Sequence, residues 1–247
     1  MNSEYIIGRN PVIEALRSGR DINKIWVAEG AAKGQVQIVL ALAKENKILV
    51  QNSPKKKLDQ LVEGNHQGVV AQVAAYEYAD LEDLFAVAAK RNEDPFFLIL
   101  DEIEDPHNLG SIMRTADAVG AHGIIIPKRR AVGLTAAVAK ASTGAIEYVP
   151  VARVTNLSRT IDELKERGLW IAGTDAKGKD DYRNLDGKMP IGLVIGSEGK
   201  GMSRLIGEKC DFLIHLPMAG KVTSLNASVA ASLLMYEVYR KRYPIGK

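Results

Sequence analysis

Five short apolar runs with no polar alternation are the strongest constraint on how this chain folds. They occupy residues 96–100, 123–126, 169–173, 191–195 and 212–216. A strand with one wet face alternates polar and apolar residues, so a continuous apolar run of this length fits a strand covered on both faces. Helical stretches separate the runs, and the alternation implies a mainly parallel α/β sheet. The last of the helical stretches, about residues 224–241, carries Val229, Leu233, Tyr236 and Tyr239 at near-helical spacing and ends in Arg240-Lys241-Arg242.

A second α/β pattern precedes these runs. It comprises a helical stretch at 11–17, strands at 24–28, 48–51 and 68–74, a helix at 36–45 and another opening at Ser53-Pro54. Between the two patterns, residues 77–95 read as a short acidic helix closed by Asp94-Pro95, because the residue before a proline is pushed out of the helical region. Residues 1–76 carry ten Lys/Arg against seven Asp/Glu, 77–95 carry two against six, and 96–247 carry twenty-one against seventeen. The expected domains are therefore 1–76 and 96–247, joined by an acidic linker at 77–95.

Among the 247 residues there is no apolar run of about 18, the length that crosses a bilayer, and the N-terminus lacks the order of a signal peptide. A cytoplasmic location is the expectation. Cys210 is the single cysteine, which excludes an intrachain disulfide and a thiolate zinc cluster. His66, His107, His122 and His215 lack paired ligand spacing, so no metal site is expected. A net charge of +3 permits a nucleic-acid partner without requiring one.

Three polar loops follow apolar runs. The first holds Asp105 to Gly110 and leads into a helix bearing Arg114; a helix cap at Asn108 and a solvated Arg114 would also explain it. The second, residues 196–203, is glycine-rich and contains Glu198. It is not a phosphate-binding P-loop, because Gly201 is followed by Met202 where that motif needs lysine. It reads either as a plain turn or as a loop whose backbone approaches a ligand. In the third, residues 216–228, Ser224 or Asn226 could cap the final helix. Polar loops at several strand ends of one sheet are the usual material of an α/β ligand site.

In order and spacing these loops resemble the three motifs of SpoU-type RNA methyltransferases of the SPOUT class. Asn108, Gly110 and Arg114 match the first motif, residues 195–201 the second and 217–228 the third. One departure is Ala227, where many relatives carry valine. The resemblance covers about residues 96–243, and the preceding domain resembles the L30e-like substrate domain found in part of the family. It implies an α/β fold with an L30e-like N-terminal domain and a SPOUT trefoil-knot methyltransferase domain, a knot being an exception to general chain rules. It further implies S-adenosylmethionine as cofactor, bound near Gly196, Leu216 and Leu225 with Thr174, Glu198, Gly199, Met218 and Ser224.

For activity the resemblance implies methylation of an RNA ribose 2′-hydroxyl, most closely a guanosine of 23S ribosomal RNA, with transfer RNA as the alternative target and a non-catalytic RNA-binding assembly factor as the rival class. Arg114 takes the central catalytic role, with Asn108, Glu198, Ser224 and Asn226 around it. Arginine keeps its proton under almost all conditions, so Arg114 is read as a group that holds the acceptor hydroxyl and the adjacent phosphate and stabilises developing charge, with a neutral Arg114 acting as the base as the alternative. The partners implied are RNA, captured by residues 1–76, and a second copy of the chain through the C-terminal domain. Lys55-Lys56-Lys57 read either as phosphate contacts or as the solvated charged start of a helix.

Overall fold

A computed structural model of the chain describes residues 4–20, 22–31, 34–73, 76–176, 178–221 and 223–246. In chain order the first elements are β1 (Glu4–Ile7), α1 (Arg9–Arg17), β2 (Ile22–Ala28), α2 (Gln35–Glu45), β3 (Val50–Ser53), α3 (Lys55–Leu61), β4 (Val69–Val73) and α4 (Leu81–Arg91). They are followed by β5 (Phe96–Leu100), α5 (Pro106–Ala118), β6 (Gly123–Pro127), α6 (Ala136–Ala141), β7 (Val151–Val154), α7 (Leu157–Glu166) and β8 (Trp170–Thr174). The last are β9 (Asp180–Asp181), β10 (Ile191–Ile195), α8 (Arg204–Lys209), β11 (Phe212–His215) and α9 (Ala227–Arg242). Two compact units result, one of Met1–Glu77 with Gly133–Tyr148, the other of Tyr78–Val132 with Val149–Lys247.

The first unit is built on a four-stranded sheet of order β1-β4-β2-β3, in which β3 runs parallel to β2 and the other pairs are antiparallel. Its core gathers Ile6, Val12, Ile25, Val36, Val69 and Ala71. Strand β3 lies two residues later than the 48–51 expected, because the Ile48 amide is spent on the Ala43 carbonyl in the turn that closes α2. Strand β1 has no counterpart in the expected elements, and Ala74, expected as a strand end, lies outside the described residues.

Residues 133–148 lie within the span expected for the second domain yet pack with the first. Glu147 explains the attachment. Its carboxylate receives Arg20 Nη1 at 3.1 Å and the Ser18 hydroxyl at 3.1 Å, with both charged side chains under a tenth exposed. Burial pushes the Glu147 carboxyl above its ordinary range, against the pull of Arg20 and Ser18. The Tyr148 hydroxyl adds a bond to Glu14 at 2.6 Å.

The second unit carries a seven-stranded sheet of order β7-β6-β5-β10-β8-β11-β9, and every pair is parallel. Strand β10 is inserted between β5 and β8, with Ile191 opposite both Phe96 and Trp170. All residues of β5 and β10 are buried, which accounts for their unbroken apolar character. Strand β7, an edge strand with Arg153 exposed, was not among the runs expected.

The acidic segment expected as a linker folds onto this unit. Asp80 and Asp83 form a reciprocal capping box at the start of α4, and Asn92 closes the helix in the left-handed region. Leu84 is fully buried beside Gly123, where an added Cβ would stand 2.3 Å from Leu84 Cγ, and Phe85 meets the ring of Phe97 edge-on at 5.0 Å.

Helix α9 starts at Ala227, three residues later than expected, and packs on α5, with Thr115 Oγ1 and Ser232 Oγ 3.0 Å apart. Its buried residues are Ala227, Ala231, Leu234, Met235, Glu237 and Val238, whereas Val229, Leu233, Tyr236 and Tyr239 remain exposed. No helix among the described residues is long and apolar enough to cross a membrane.

Leu84→Ala is expected to lower the unfolding free energy by about 2–4 kcal/mol, the cost of a cavity in a packed core. Urea unfolding measures it; a loss under about 0.5 kcal/mol would mean that α4 does not belong to the core.

Candidate active site

A parallel sheet gathers its functional loops at one edge, because every strand ends on the same side. Strands β5, β10 and β8 are adjacent, and Leu100 is in register with Ile195. The loops after Leu100, Ile195 and His215, together with Thr174 at the end of β8, therefore meet at the carboxyl edge.

The loop after β10 is shaped by glycine. Gly196 is buried, and a Cβ there would stand 2.2 Å from the Gly201 carbonyl carbon and 2.2 Å from the Met202 nitrogen, so only hydrogen fits. Ser197 and Gly201 exchange backbone hydrogen bonds of 3.0 and 2.9 Å, and Gly199 and Gly201 take φ values of 81° and 70°. The closed turn is tied to the neighbouring strand end by the Ser203 amide, which donates to Asp101 Oδ2 at 2.7 Å. Asp101 is buried and did not figure among the expected site residues; nothing in its local pattern marks it, since its partner lies 102 residues away.

Two cavities open on this edge. The larger, about 750 Å³, is lined by Thr174, Gly196, Glu198, Gly199, Leu216, Met218, Ser224 and Leu225, so all eight residues expected to hold a cofactor share it. Ile195, His215 and Leu234 also line it. The smaller, about 240 Å³, is lined by Glu102, Ile103, Glu104, Asp105 and Asn108 with Ser197, Glu198 and Lys200. Ser197, Glu198 and Lys200 border both cavities, so the second loop is their common wall.

Asn226 connects the loops at that wall. Its Nδ2 donates to Asn108 Oδ1 at 3.0 Å and to Glu198 Oε2 at 3.3 Å, and Asn108 Nδ2 reaches the same carboxylate oxygen at 3.5 Å. Its Oδ1 caps α9 by accepting from the amides of Ser228 at 2.9 Å and Val229 at 3.3 Å. Asn226, not Ser224, is the cap; Asn108 lies in the first turn of α5, whose N-cap is Asp105.

Arg114 stands apart from this group. It is exposed on α5, borders neither cavity, and makes no hydrogen bond or ion pair among the described residues. Val222 of the third loop lies outside the described residues.

The histidines divide by partner. His66 bonds Asp59 at 2.9 Å and accepts from the Gly68 amide; His122 bonds Glu93 at 2.9 Å and accepts from the Phe96 amide. Both are structural. His215 differs, since its Nδ1 is buried without a hydrogen-bond partner while the residue lines the larger cavity. Cys210 is half-buried against the core, and burial pushes its thiol up to about 12, which makes it unreactive. Among the described residues no group of three His, Cys, Asp or Glu is placed to hold a metal.

The chain matches two family models, the SpoU rRNA Methylase family over residues 95–236 and the RNA 2′-O ribose methyltransferase substrate-binding family over residues 5–79. It is 72% identical to YacO of Bacillus subtilis, which is named as a TrmH family tRNA/rRNA methyltransferase, over 99% of this chain and 98% of that one. Two solved structures are also similar. The SpoU methyltransferase AviRb from Streptomyces viridochromogenes, in complex with the cofactor AdoMet, is 28% identical with a TM-score of 0.83, covering 97% of this chain and 90% of its own. The AdoMet-bound rRNA methyltransferase from Sinorhizobium meliloti is 29% identical with a TM-score of 0.79, covering 96% and 87%.

Gly196→Ala is expected to destabilise the second unit by about 1–3 kcal/mol, because the backbone at 2.2 Å cannot step aside without disturbing the loop. Gly220→Ala, in the third loop with nothing within 4 Å, is expected to stay within about 0.5 kcal/mol. Equal effects of the two in thermal unfolding would contradict the packing described for Gly196.

Proposed function

The chain belongs to the SpoU methylase family of RNA methyltransferases, and from that premise we propose that it transfers a methyl group from S-adenosylmethionine to a ribose 2′-hydroxyl, with a guanosine of 23S ribosomal RNA as its target. The observation that carries this reading is the wall shared by the two cavities. A group-transfer enzyme needs a donor and an acceptor side by side, and Glu198 borders both spaces.

The larger cavity suits the donor. It lies within the size range of small-molecule sites, and its lining combines apolar Leu216, Leu225 and Met218 with glycine backbone and polar Thr174 and Ser224. When bound, S-adenosylmethionine supplies an electrophilic methyl carried on a sulfonium. The smaller cavity takes the acceptor ribose. Both amide contacts to Glu198 use Oε2, which leaves Oε1 without a partner among the described residues and available to the acceptor hydroxyl. A hydroxyl so held is oriented for in-line attack and passes its proton to Glu198 Oε1. The placement of β10 between β5 and β8, with β11 beyond β8, supports the knotted path expected for this family.

Arg114 acts on the acceptor side. It lies on α5, whose first turn places Asn108 in the wall of the smaller cavity, and its isolation within one chain suits a site completed by a second copy. The exposed stripe Val229, Leu233, Tyr236 and Tyr239 on α9 supplies the dimer surface. Helix α9 packs on α5, the helix of Arg114, so a second copy paired through that stripe lies beside the helix that carries Arg114. The first unit captures RNA, with Lys55, Lys56 and Lys57 exposed at the start of α3.

Arg114→Ala is expected to leave S-adenosylmethionine affinity unchanged and to slow single-turnover transfer roughly a hundredfold or more, as loss of a charge-stabilising donor does. Arg114→Lys restores little, since an ammonium does not reproduce the planar guanidinium. Mixing Arg114→Ala with Asn226→Asp subunits restores transfer if the site is shared. A near-normal rate for Arg114→Ala contradicts the role, and a mixture as inert as its components contradicts the sharing.

A further inference from the structure

We propose that the loop Lys128-Arg129-Arg130, which follows β6, binds the phosphates that flank the acceptor nucleotide. The inference rests on the reading that this chain methylates an RNA ribose, and it adds an RNA contact in the second unit that is separate from the first.

The first ground is position. Strand β6 pairs in parallel with β5, Ile125 opposite Ile99, so the loop leaves the sheet at the same carboxyl edge as the Asp101 to Asn108 segment. Lys128, Arg129 and Arg130 are all exposed, and among the described residues Lys128 and Arg129 make no ion pair.

A second ground is fixation. The Lys128 amide donates to the Val154 carbonyl at 2.8 Å, Arg153 Nη2 donates to the Lys128 carbonyl at 3.2 Å, and beyond the loop the Val132 amide donates to the Ile103 carbonyl at 2.9 Å. Ile103 belongs to the wall of the smaller cavity. Arg130 is drawn toward that wall as well, with Nη1 2.9 Å from Glu102 Oε1. That pair is weakly held, since the Arg130 side chain is 77% exposed, and a phosphate can exchange for it.

Charge supplies the third. The smaller cavity is bordered by Glu102, Glu104, Asp105 and Glu198 against Lys200 alone. A polyanion approaching it is repelled unless cations stand within about one Debye length, roughly 10 Å in ordinary salt. Arg130 touches that wall, and Lys128 and Arg129 precede it in the same loop, where they offset the repulsion and hold the strand on either side of the acceptor.

The test compares two double variants that remove equal charge. Lys128→Gln with Arg129→Gln alters the loop. Lys90→Gln with Lys188→Gln alters exposed lysines that precede β5 and β10, at the opposite edge of the sheet. Binding of deproteinised ribosomal RNA from a bacterial strain lacking the gene is followed over a range of salt, together with S-adenosylmethionine affinity and steady-state transfer. Loss of two phosphate contacts is expected to make the slope of log affinity against log salt shallower by about 1.4, and to raise KM for RNA about tenfold or more. Turnover at saturating RNA and S-adenosylmethionine affinity are expected to stay within about twofold, and the control variant to match the unmodified chain. An unchanged slope in the loop variant, or an equal change in the control, overturns the inference while methyl transfer by the unmodified chain stands. Absence of transfer by the unmodified chain overturns the underlying reading, and the inference with it.

Discussion

The site is held together by one side chain that uses both ends of its amide. Asn226 accepts with Oδ1 from the first turn of α9 and donates with Nδ2 to Asn108 and Glu198, so the helix cap and the Glu198 carboxylate are a single hydrogen-bonded object. Asparagine is required for this, because a carboxylate of the same shape accepts only and would face Glu198 as a like charge. Three loops far apart in sequence thereby share one geometry, and the orientation of Glu198 follows from the capping of α9.

That hub in turn depends on the sheet. With β10 lodged between β5 and β8, the segments leaving β5 and β10 emerge side by side, and the short bond from Ser203 to Asp101 locks them. Glycine at 196 lets the second loop fold back on itself closely enough to divide the space into two cavities. The lining of the larger one combines apolar Leu216, Leu225 and Met218 with the glycines of the second loop and polar Thr174 and Ser224, the mixture usual in small-molecule sites.

Much of this was legible in the sequence, for identifiable reasons. Strands buried on both faces leave a mark that needs no partner to read, and the central strands β5 and β10 stand where the apolar runs are. The edge strand β7 carries the exposed Arg153 and leaves no such mark. The eight residues expected to hold a cofactor came through the resemblance and converge on one cavity, although five of them are apolar or glycine and have no chemistry of their own to announce. What escaped was set by long-range pairing. Residues 133–148 join the first unit through Arg20 and Glu147, 127 positions apart, and Asp101 owes its role to Ser203. The final helix shows a subtler limit. It is apolar on two faces, and composition alone does not say which face meets α5 and which stays exposed.

The most direct test of the account is to follow a labelled methyl group. Ribosomal RNA and transfer RNA from a strain lacking the gene are incubated separately with the protein and labelled S-adenosylmethionine, and the products are hydrolysed in alkali. A methylated 2′-oxygen cannot attack its neighbouring phosphate, so the account predicts label in alkali-resistant dinucleotides, beginning with guanosine, from the ribosomal fraction. Label released in mononucleotides, which signifies a methylated base, or no transfer to either RNA, would contradict it.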